Sequence, residues 1–321
     1  MISISNELKN KINIIPKKPG IYKMLDSKGN IIYIGKSKLL NKRVKSYFVN
    51  NPKWEKVKRM VNLVHDIDYI VTDTHLEARL LECSLIKTIK PIFNSQMKHD
   101  KGYVFLKLKN YNQFNSLSVV DEREENTYGP FRRKFYLNEI ISSLKNIYPI
   151  KNINGSYFFE YHLFPVTMEK DVFNENRECL KEIFTNILKA KVFTDELAIK
   201  MKNEALCNNF EMASIFKNLI DNINYVNSNI HKYNNLMNSD LIVTIPLDEG
   251  YKMFYISNAN IIKKEKYTNI SQSAIDLFYD VAKNYHNYNV PINEKSLIDF
   301  RDIIYSEIIS LPEDLVIKIN K

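Results

Sequence analysis

The sequence predicts an α/β protein of the α+β type: a small antiparallel sheet flanked by helices, then a mainly helical region and a small C-terminal α+β module. The first observation is a β-hairpin, in which two short apolar strands, 20–25 and 31–34, flank a turn over residues 26–30. The second is helical periodicity from about residue 175 to residue 237. The third is a set of strand-like and helical runs over residues 241–309.

The hairpin carries one tyrosine on each strand, Tyr22 and Tyr33. Side chains alternate between the two faces of an antiparallel hairpin, so both hydroxyls can lie on the same face and close together. We therefore expect the chemistry of this protein to lie at the hairpin.

The elements after the hairpin follow from apolar spacing. We predict a helix over residues 38–48 with Ser37 as its N-cap, a helix over 54–64 with Trp54 on its apolar stripe, and a strand over 68–73. A longer helix follows over 75–90, and residues 74–77 form a capping box at its start.

Three polar residues stand out against this pattern. Arg43 lies one helical turn from the apolar residues Leu40 and Tyr47, at the edge of a buried face. Glu82 has apolar helical neighbours, so its carboxylate needs a cation, a hydrogen-bonding network or a metal. Asn94 lies just past the helix end, where an amide could cap the helix or face a ligand.

The positive charge of the chain lies in its first third. The formal net charge is +9, and residues 1–100 hold 19 Lys or Arg against 9 Asp or Glu. Such a field suits a polyanion such as nucleic acid, although a solvated lysine-rich surface also accounts for the number of lysines. Candidate DNA contacts are Lys17, Lys18, Lys38, Lys42, Lys45, Lys58 and Arg59.

Composition also excludes several classes of protein. We find no run of eighteen apolar residues and no signal-peptide pattern, so we expect a cytoplasmic protein with no membrane partner. The three cysteines, Cys83, Cys179 and Cys207, are far apart and form no CxxC pair, which argues against a disulfide framework and a zinc site.

An ordered set of motifs across the first 95 or so residues resembles one family. It comprises PKKPGIYKM, YIGKSKLLNKRVKSYF, DYIVTD and EARLLECSLIKTIKPIFN. Together they resemble the GIY-YIG endonucleases, and within them the N-terminal half of UvrC-type excinuclease subunits and the shorter Cho type.

The resemblance implies a role for each candidate residue in phosphodiester hydrolysis. It implies that Tyr33 is the general base, that Tyr22 is a second active-site hydroxyl, and that Glu82 is the single carboxylate that binds Mg²⁺ or Mn²⁺. Arg43 would grip the scissile phosphate and Asn94 would steady the site by hydrogen bonding. Lys36, Arg43 and the metal would lower the pKa of Tyr33, since an ordinary tyrosine, with a pKa of about 10, is a poor base at neutral pH.

The similarity is thinner after residue 100. Many UvrC proteins have four cysteines here that hold an iron-sulfur cluster, whereas residues 151–165 contain none, so we expect no cluster. Residues 200–225 resemble the UVR motif, a helical hairpin through which UvrC contacts UvrB; on the residues alone, an ordinary internal hairpin is equally compatible. We predict domains at 1–100 (nuclease), 101–170 (connecting region), 171–237 (helical) and 238–321 (C-terminal module).

The resemblance implies a metal-dependent endonuclease of nucleotide excision repair, which incises damaged double-stranded DNA on the 3′ side of a lesion together with UvrB. Two other hypotheses stay open. The first is a GIY-YIG nuclease of a mobile element or defence system, and the second is an adaptor that binds DNA and UvrB without cutting.

Overall fold

We describe a computed structural model of the chain, over residues 5–48, 54–100, 102–232, 234–285 and 294–319. The chain forms two compact units. The first unit contains residues 1–100 together with 235–321, and the second contains residues 101–234. The four domain boundaries drawn from the sequence stay a prediction.

Within its described residues, the N-terminal part of the first unit contains four helices and three strands. They are α1 (Asn6–Ile14), β1 (Gly20–Leu25), β2 (Ile31–Ser37), α2 (Leu40–Lys45), α3 (Glu55–Leu63), β3 (Asp66–Val71) and α4 (His75–Ile89). The strands form an antiparallel sheet in the order β2-β1-β3, so β2 is an edge strand. This arrangement confirms the predicted small antiparallel sheet flanked by helices.

The alternation of side chains divides this sheet between two cores. Tyr22 and Met24 point to one face and pack with residues of α1, α2 and α3. Ile21 and Ile34 point to the other face and pack against Ala78 and Ile86 of α4. The helix α4 therefore packs on one face of the hairpin, opposite the face that carries Tyr22.

The C-terminal part of the first unit is a second antiparallel sheet with helices. It contains α9 (Asn234–Asn238, of which residues 235–238 belong to this unit), β9 (Asp240–Pro246), β10 (Tyr251–Ser257), β11 (Asn260–Tyr267), α10 (Gln272–Ala282), α11 (Glu294–Ile308) and β12 (Val316–Ile319). The strand order is β11-β10-β9-β12. The sequence analysis missed β11 and β12, because the lysine-rich sequence of β11 does not resemble an apolar strand.

The second unit packs a three-stranded sheet and a two-stranded hairpin with four helices around one core. Its elements are β4 (Val104–Leu108), β5 (Leu117–Val120), β6 (Thr127–Phe131), α5 (Lys134–Lys145), β7 (Lys151–Ile153), β8 (Ser156–Phe158), α6 (Lys170–Thr185), α7 (Ile187–Leu206) and α8 (Phe210–His231). The predicted helical hairpin corresponds to α7 and α8. No helix in the described part of the chain is long and apolar enough to cross a bilayer.

Two local expectations are wrong. Ser37 does not cap α2, because β2 continues to Ser37, which pairs with Gly20, and the helix starts only at Leu40. Trp54 is 73% exposed and precedes α3 instead of lying on its buried stripe. The capping box is confirmed, since the Thr74 hydroxyl accepts from the Glu77 N–H and the Glu77 carboxylate accepts from the Thr74 N–H.

Candidate functional site

Three tyrosine hydroxyls meet on one face of the hairpin. In the pairing of β1 with β2, Tyr22 lies opposite Gly35 and Tyr33 lies opposite Met24, so both rings share a face, as predicted. Tyr47, which follows α2, completes the cluster. Its hydroxyl oxygen lies 2.8 Å from that of Tyr22 and 3.4 Å from that of Tyr33.

Arg43 connects this cluster to solvent. Its Nη2 donates to the Tyr47 hydroxyl at 2.9 Å, and its guanidinium carbon lies 4.8 Å from the centre of the Tyr47 ring. The side chain is at the surface and carries further donors in a planar fork, which can bind an anion.

Glu82 approaches the same region from α4 and engages Lys36 twice. One carboxylate oxygen accepts from the Lys36 backbone N–H at 3.1 Å, and the other accepts from the Lys36 Nζ at 2.9 Å. The residue is only 8% exposed. The expectation that this carboxylate is buried and has a partner is thus confirmed.

Asn94 does not cap α4, and its side chain binds the backbone of β2. Its Oδ1 accepts from the Ile34 N–H at 3.0 Å, and its Nδ2 donates to the Ile34 carbonyl at 2.8 Å. The helix ends at Ile89, and its C-cap is Lys90, which adopts the left-handed conformation. Asn94 therefore binds the outer edge of β2 as a neighbouring strand would.

These residues surround a pocket of about 460 Å³ at the edge of β2. Its lining includes Tyr33, Lys36, Arg43, Glu82 and Asn94, five of the six predicted catalytic residues, together with Tyr47 and Lys56. The sixth residue, Tyr22, is 1% exposed and lies behind Tyr47.

Sequence reasoning missed Tyr47 and Lys56 as site residues. The available signal for Tyr47 was its spacing of four residues after Arg43, which places both side chains on one helical edge. Lys56 lies on α3 and donates to the Ser95 hydroxyl beside the pocket, a contact that helical spacing alone does not reveal.

The pocket suits a hard divalent cation held by few protein ligands. Glu82 is the acidic residue in its lining, and the described residues contain no group of three or more His, Cys, Asp or Glu side chains that could hold a metal. Mg²⁺ and Mn²⁺ are commonly held by one or two carboxylates with waters and phosphate oxygens in the other positions, so the donors present fit such an ion.

The protonation of the tyrosines differs from the expectation. Burial raises the pKa of Tyr33 well above its ordinary value, and repulsion from Tyr47 and Glu82 adds to the shift. Burial likewise raises the pKa of Tyr22. In the protein alone, burial therefore outweighs any lowering of the Tyr33 pKa by nearby cations. Lys36 is paired with Glu82 and Arg43 with Tyr47, and the lowering expected from these two residues and a metal stays a prediction.

The seven candidate DNA contacts lie at the surface of the first unit, outside the pocket lining. Lys17 and Lys18 precede β1, Lys38 precedes α2, and Lys42 and Lys45 lie on α2. Lys58 and Arg59 lie on α3, close to the carboxylate of Glu55. Their role in DNA binding stays a prediction.

Comparison with known proteins gives this geometry a family. Residues 18–95 match the UvrC-like GIY-YIG domain. These residues form a UvrC-like GIY-YIG domain. The chain is 38% identical over 178 residues to UvrABC system protein C of Caldanaerobacter subterraneus, which covers 54% of this chain and 27% of that protein. It is 31% identical over 240 residues to UvrABC system protein C of Legionella pneumophila, which covers 70% of this chain and 39% of that protein.

A solved structure is similar to the same domain. It is the GIY-YIG N-terminal endonuclease domain of UvrC from Thermotoga maritima, bound to its catalytic divalent cation, magnesium. The match has 37% identity and a TM-score of 0.27, and it covers 29% of this chain and all of that one. The alignments with the two UvrABC system protein C sequences show that this chain spans less than half the length of either relative.

The GIY-YIG domain requires both motif glycines for steric reasons. A Cβ on Gly20 would lie 2.2 Å from the Ile70 carbonyl oxygen on the neighbouring strand. A Cβ on Gly35 would lie 2.3 Å from the Tyr22 hydroxyl and 2.5 Å from the ring carbon that carries it. Gly35 thus leaves the space in which the Tyr22 ring lies across β2 and reaches Tyr47.

We predict that Gly35→Ala destabilises the first unit by about 1–3 kcal/mol, because the new methyl group displaces the buried Tyr22 ring. The matched control is Gly102→Ala, where a Cβ would meet no atom within 4 Å. We expect the control to change the free energy of unfolding by less than about 0.5 kcal/mol. Urea denaturation of the full chain measures both; equal stability of the two variants would contradict the steric account.

We predict that alkaline pH destabilises the protein less steeply when Tyr33 is replaced by Phe. The pKa values of Tyr22 and Tyr33 are raised on folding, so their stabilising effect is complete below a pH of about 10, the ordinary value for tyrosine. It is lost as the pH rises from there through the folded pKa values. Tyr33→Phe removes one of these groups, which reduces the loss by up to about 1.4 kcal/mol per pH unit.

The measurement is urea denaturation of both proteins at about pH 8 and about pH 11, without divalent cations. If the free energy of unfolding falls by the same amount between the two pH values in the wild type and the variant, the folded state does not hold the Tyr33 proton more tightly than the unfolded state.

Proposed function

We propose that this chain is a metal-dependent DNA endonuclease of nucleotide excision repair, which hydrolyses one phosphodiester bond on the 3′ side of a lesion together with UvrB. The observation that carries the proposal is the pocket at the edge of β2, which combines two phenols, three cationic side chains and a buried carboxylate. Phosphodiester hydrolysis needs this set: a proton acceptor, charge stabilisation and a cation ligand.

Each residue has a task in this reaction. Arg43 and Lys36 bind the non-bridging phosphate oxygens, and Asn94 holds β2 so that Tyr33 and Lys36 stay at the pocket. A water attacks phosphorus from the side of Tyr33, the bond from phosphorus to the leaving oxygen breaks, and the Tyr33 phenolate takes the proton from the water. The leaving oxygen takes a proton from solvent.

Glu82 is the residue that would hold the divalent cation. When bound, this cation supplies charge for the developing phosphoryl oxygens and lowers the pKa of nearby groups. Because burial raises the pKa of Tyr33 in the protein alone, Tyr33 would need this opposing effect of the cation at the moment of proton transfer.

The biological setting is supported by the relatives. Both full-length matches are UvrABC system protein C, and this chain spans less than half of either. Incision on the 3′ side, damaged duplex DNA as substrate and UvrB as partner rest on the resemblance of the GIY-YIG half to those proteins.

We predict that Glu82→Gln reduces incision of a lesion-containing duplex by at least about 100-fold in the presence of UvrB and Mg²⁺, because an amide binds the cation far more weakly than a carboxylate. The matched control is Glu55→Gln, which removes an exposed carboxylate from α3 of the same unit. We expect it to incise at the wild-type rate. Normal incision by the Glu82 variant would overturn the assignment of the metal ligand.

The same assay separates the two alternatives. A wild-type chain that binds damaged DNA and UvrB but incises nothing is an adaptor, and the nuclease proposal then fails. A chain that incises DNA at an unchanged rate with or without UvrB is a GIY-YIG nuclease outside excision repair.

The hairpin of α7 and α8 is the part we propose for UvrB binding. The part of the hairpin away from the loop between α7 and α8 belongs to the core of the second unit, through residues such as Leu197 and Phe216. At its tip, Leu206 is 81% exposed and Phe210 is 66% exposed. An apolar tip on a helical hairpin anchored in a core suits docking against another protein.

We predict that Phe210→Asp weakens UvrB binding by about tenfold or more, because it puts a charge in the apolar contact. The control is Leu188→Asp, at an exposed apolar position near the start of α7. Calorimetric titration of UvrB into each full-length variant measures the affinity. Equal affinities for the two variants would favour the reading of α7 and α8 as an ordinary internal hairpin.

A further inference from the structure

The helix α4 makes contacts on two sides. Ala78, Glu82 and Ile86 follow each other at helical spacing and face the hairpin, where Glu82 binds Lys36. The opposite side and the N-terminal end of the helix carry charged residues, and these are paired with residues from the C-terminal part of the same unit.

The N-terminal end of α4 is held by lysines of β10 and β11. Lys252 Nζ lies 2.8 Å from Asp73, and Lys264 Nζ lies 2.7 Å from Glu77. Glu77 and Lys252 are both buried and lie 3.7 Å apart, so solvent screens this pair only weakly. Glu77 is also the capping-box residue of α4, so this pairing fixes the first turn of the helix.

The remaining length of α4 is held by α11. Arg79 donates to the Glu307 carboxylate at 2.8 Å and to the Ser306 hydroxyl at 2.6 Å. Lys87, near the C-terminal end of α4, lies 2.8 Å from Asp299, which is 2% exposed. Ion pairs therefore hold α4 at positions that precede Glu82 in the sequence and at a position that follows it.

These contacts fix the rotation and the axial position of α4 more narrowly than apolar packing does. Hydrogen-bonded ion pairs have defined lengths and directions, whereas an apolar contact tolerates sliding. Both oxygens of Glu82 must reach one residue, Lys36, and a functional carboxylate has to be held to within about 0.5 Å of its working position.

We propose that the C-terminal sheet and its helices, residues 240–285 and 294–319, are a positioning element for the Glu82 carboxylate. Arg79 and Glu307 are its central positioning residues, assisted by the pairs of Glu77 with Lys264 and of Lys87 with Asp299. The effect on cation binding rests on the proposed function, because it takes Glu82 as the metal ligand.

The test is a charge swap in the full-length chain. Glu307→Arg and Arg79→Glu each place two like charges together, and the double variant restores the pair in reverse. The control is Lys283→Glu, which places like charges at the exposed pair of Lys283 and Asp280 in the same C-terminal region. Glu307→Gln is a milder variant for the case in which a charge reversal prevents folding.

Three measurements are made on each variant: amide hydrogen exchange in α4, Mn²⁺ affinity by electron paramagnetic resonance, and incision. We expect each single reversal to speed exchange in α4 and to weaken Mn²⁺ binding by about tenfold, the lower end of the effect of outer-shell changes. We expect the double variant to recover wild-type affinity to within about threefold and the Lys283 control to match the wild type.

Several outcomes would overturn the inference. One is wild-type Mn²⁺ affinity in Glu307→Arg or Glu307→Gln despite faster exchange in α4, and another is no recovery in the double variant. A wild-type chain that binds Mn²⁺ but incises no DNA would overturn only the nuclease proposal. The Mn²⁺ affinity and the amide hydrogen exchange of the variants would still test the positioning role. A wild-type chain that binds no Mn²⁺ would overturn both.

Discussion

The contact between Glu82 and Lys36 joins the two halves of the site. A helix that packs on one face of the hairpin supplies the carboxylate, while the tyrosines lie on the other face. The two sets can meet only at the edge of the sheet, and β2 is the edge strand. By accepting from the Lys36 N–H, Glu82 satisfies a backbone group of that edge and is itself fixed at the point where both faces are accessible.

In the tyrosine cluster, the packing of the rings and the ionisation of a hydroxyl have opposite requirements. Packing three rings together stabilises the hairpin and aligns their hydroxyls, but burial also makes the ionised form of Tyr33 unfavourable. In the proposed role of a base, Tyr33 needs a positive charge nearby. Glu82, the acidic residue that lines the pocket, would hold the cation that supplies this charge, which links the phenol to α4.

Much of the site could be predicted from sequence because its signals are local. Alternation along two strands placed Tyr22 and Tyr33 on one face, and helical spacing identified Glu82 as a carboxylate in need of a partner. The contacts of Lys56 with Ser95 and of Arg79 with Glu307 join residues distant in the chain, and no periodicity encodes them. The direction of the Tyr33 pKa shift also depends on burial, which spacing alone does not give.

The side chain of Asn94 has a consequence for how other molecules can approach the site. An uncovered edge strand presents a row of backbone donors and acceptors to which a further strand can add, and this is a common route to aggregation. Along β2, the Phe93 N–H binds the Ile32 carbonyl, Asn94 binds both groups of Ile34, and Glu82 binds the Lys36 N–H. The edge is thereby closed to strand addition by a second polypeptide, while the side chains that line the pocket stay accessible to a ligand.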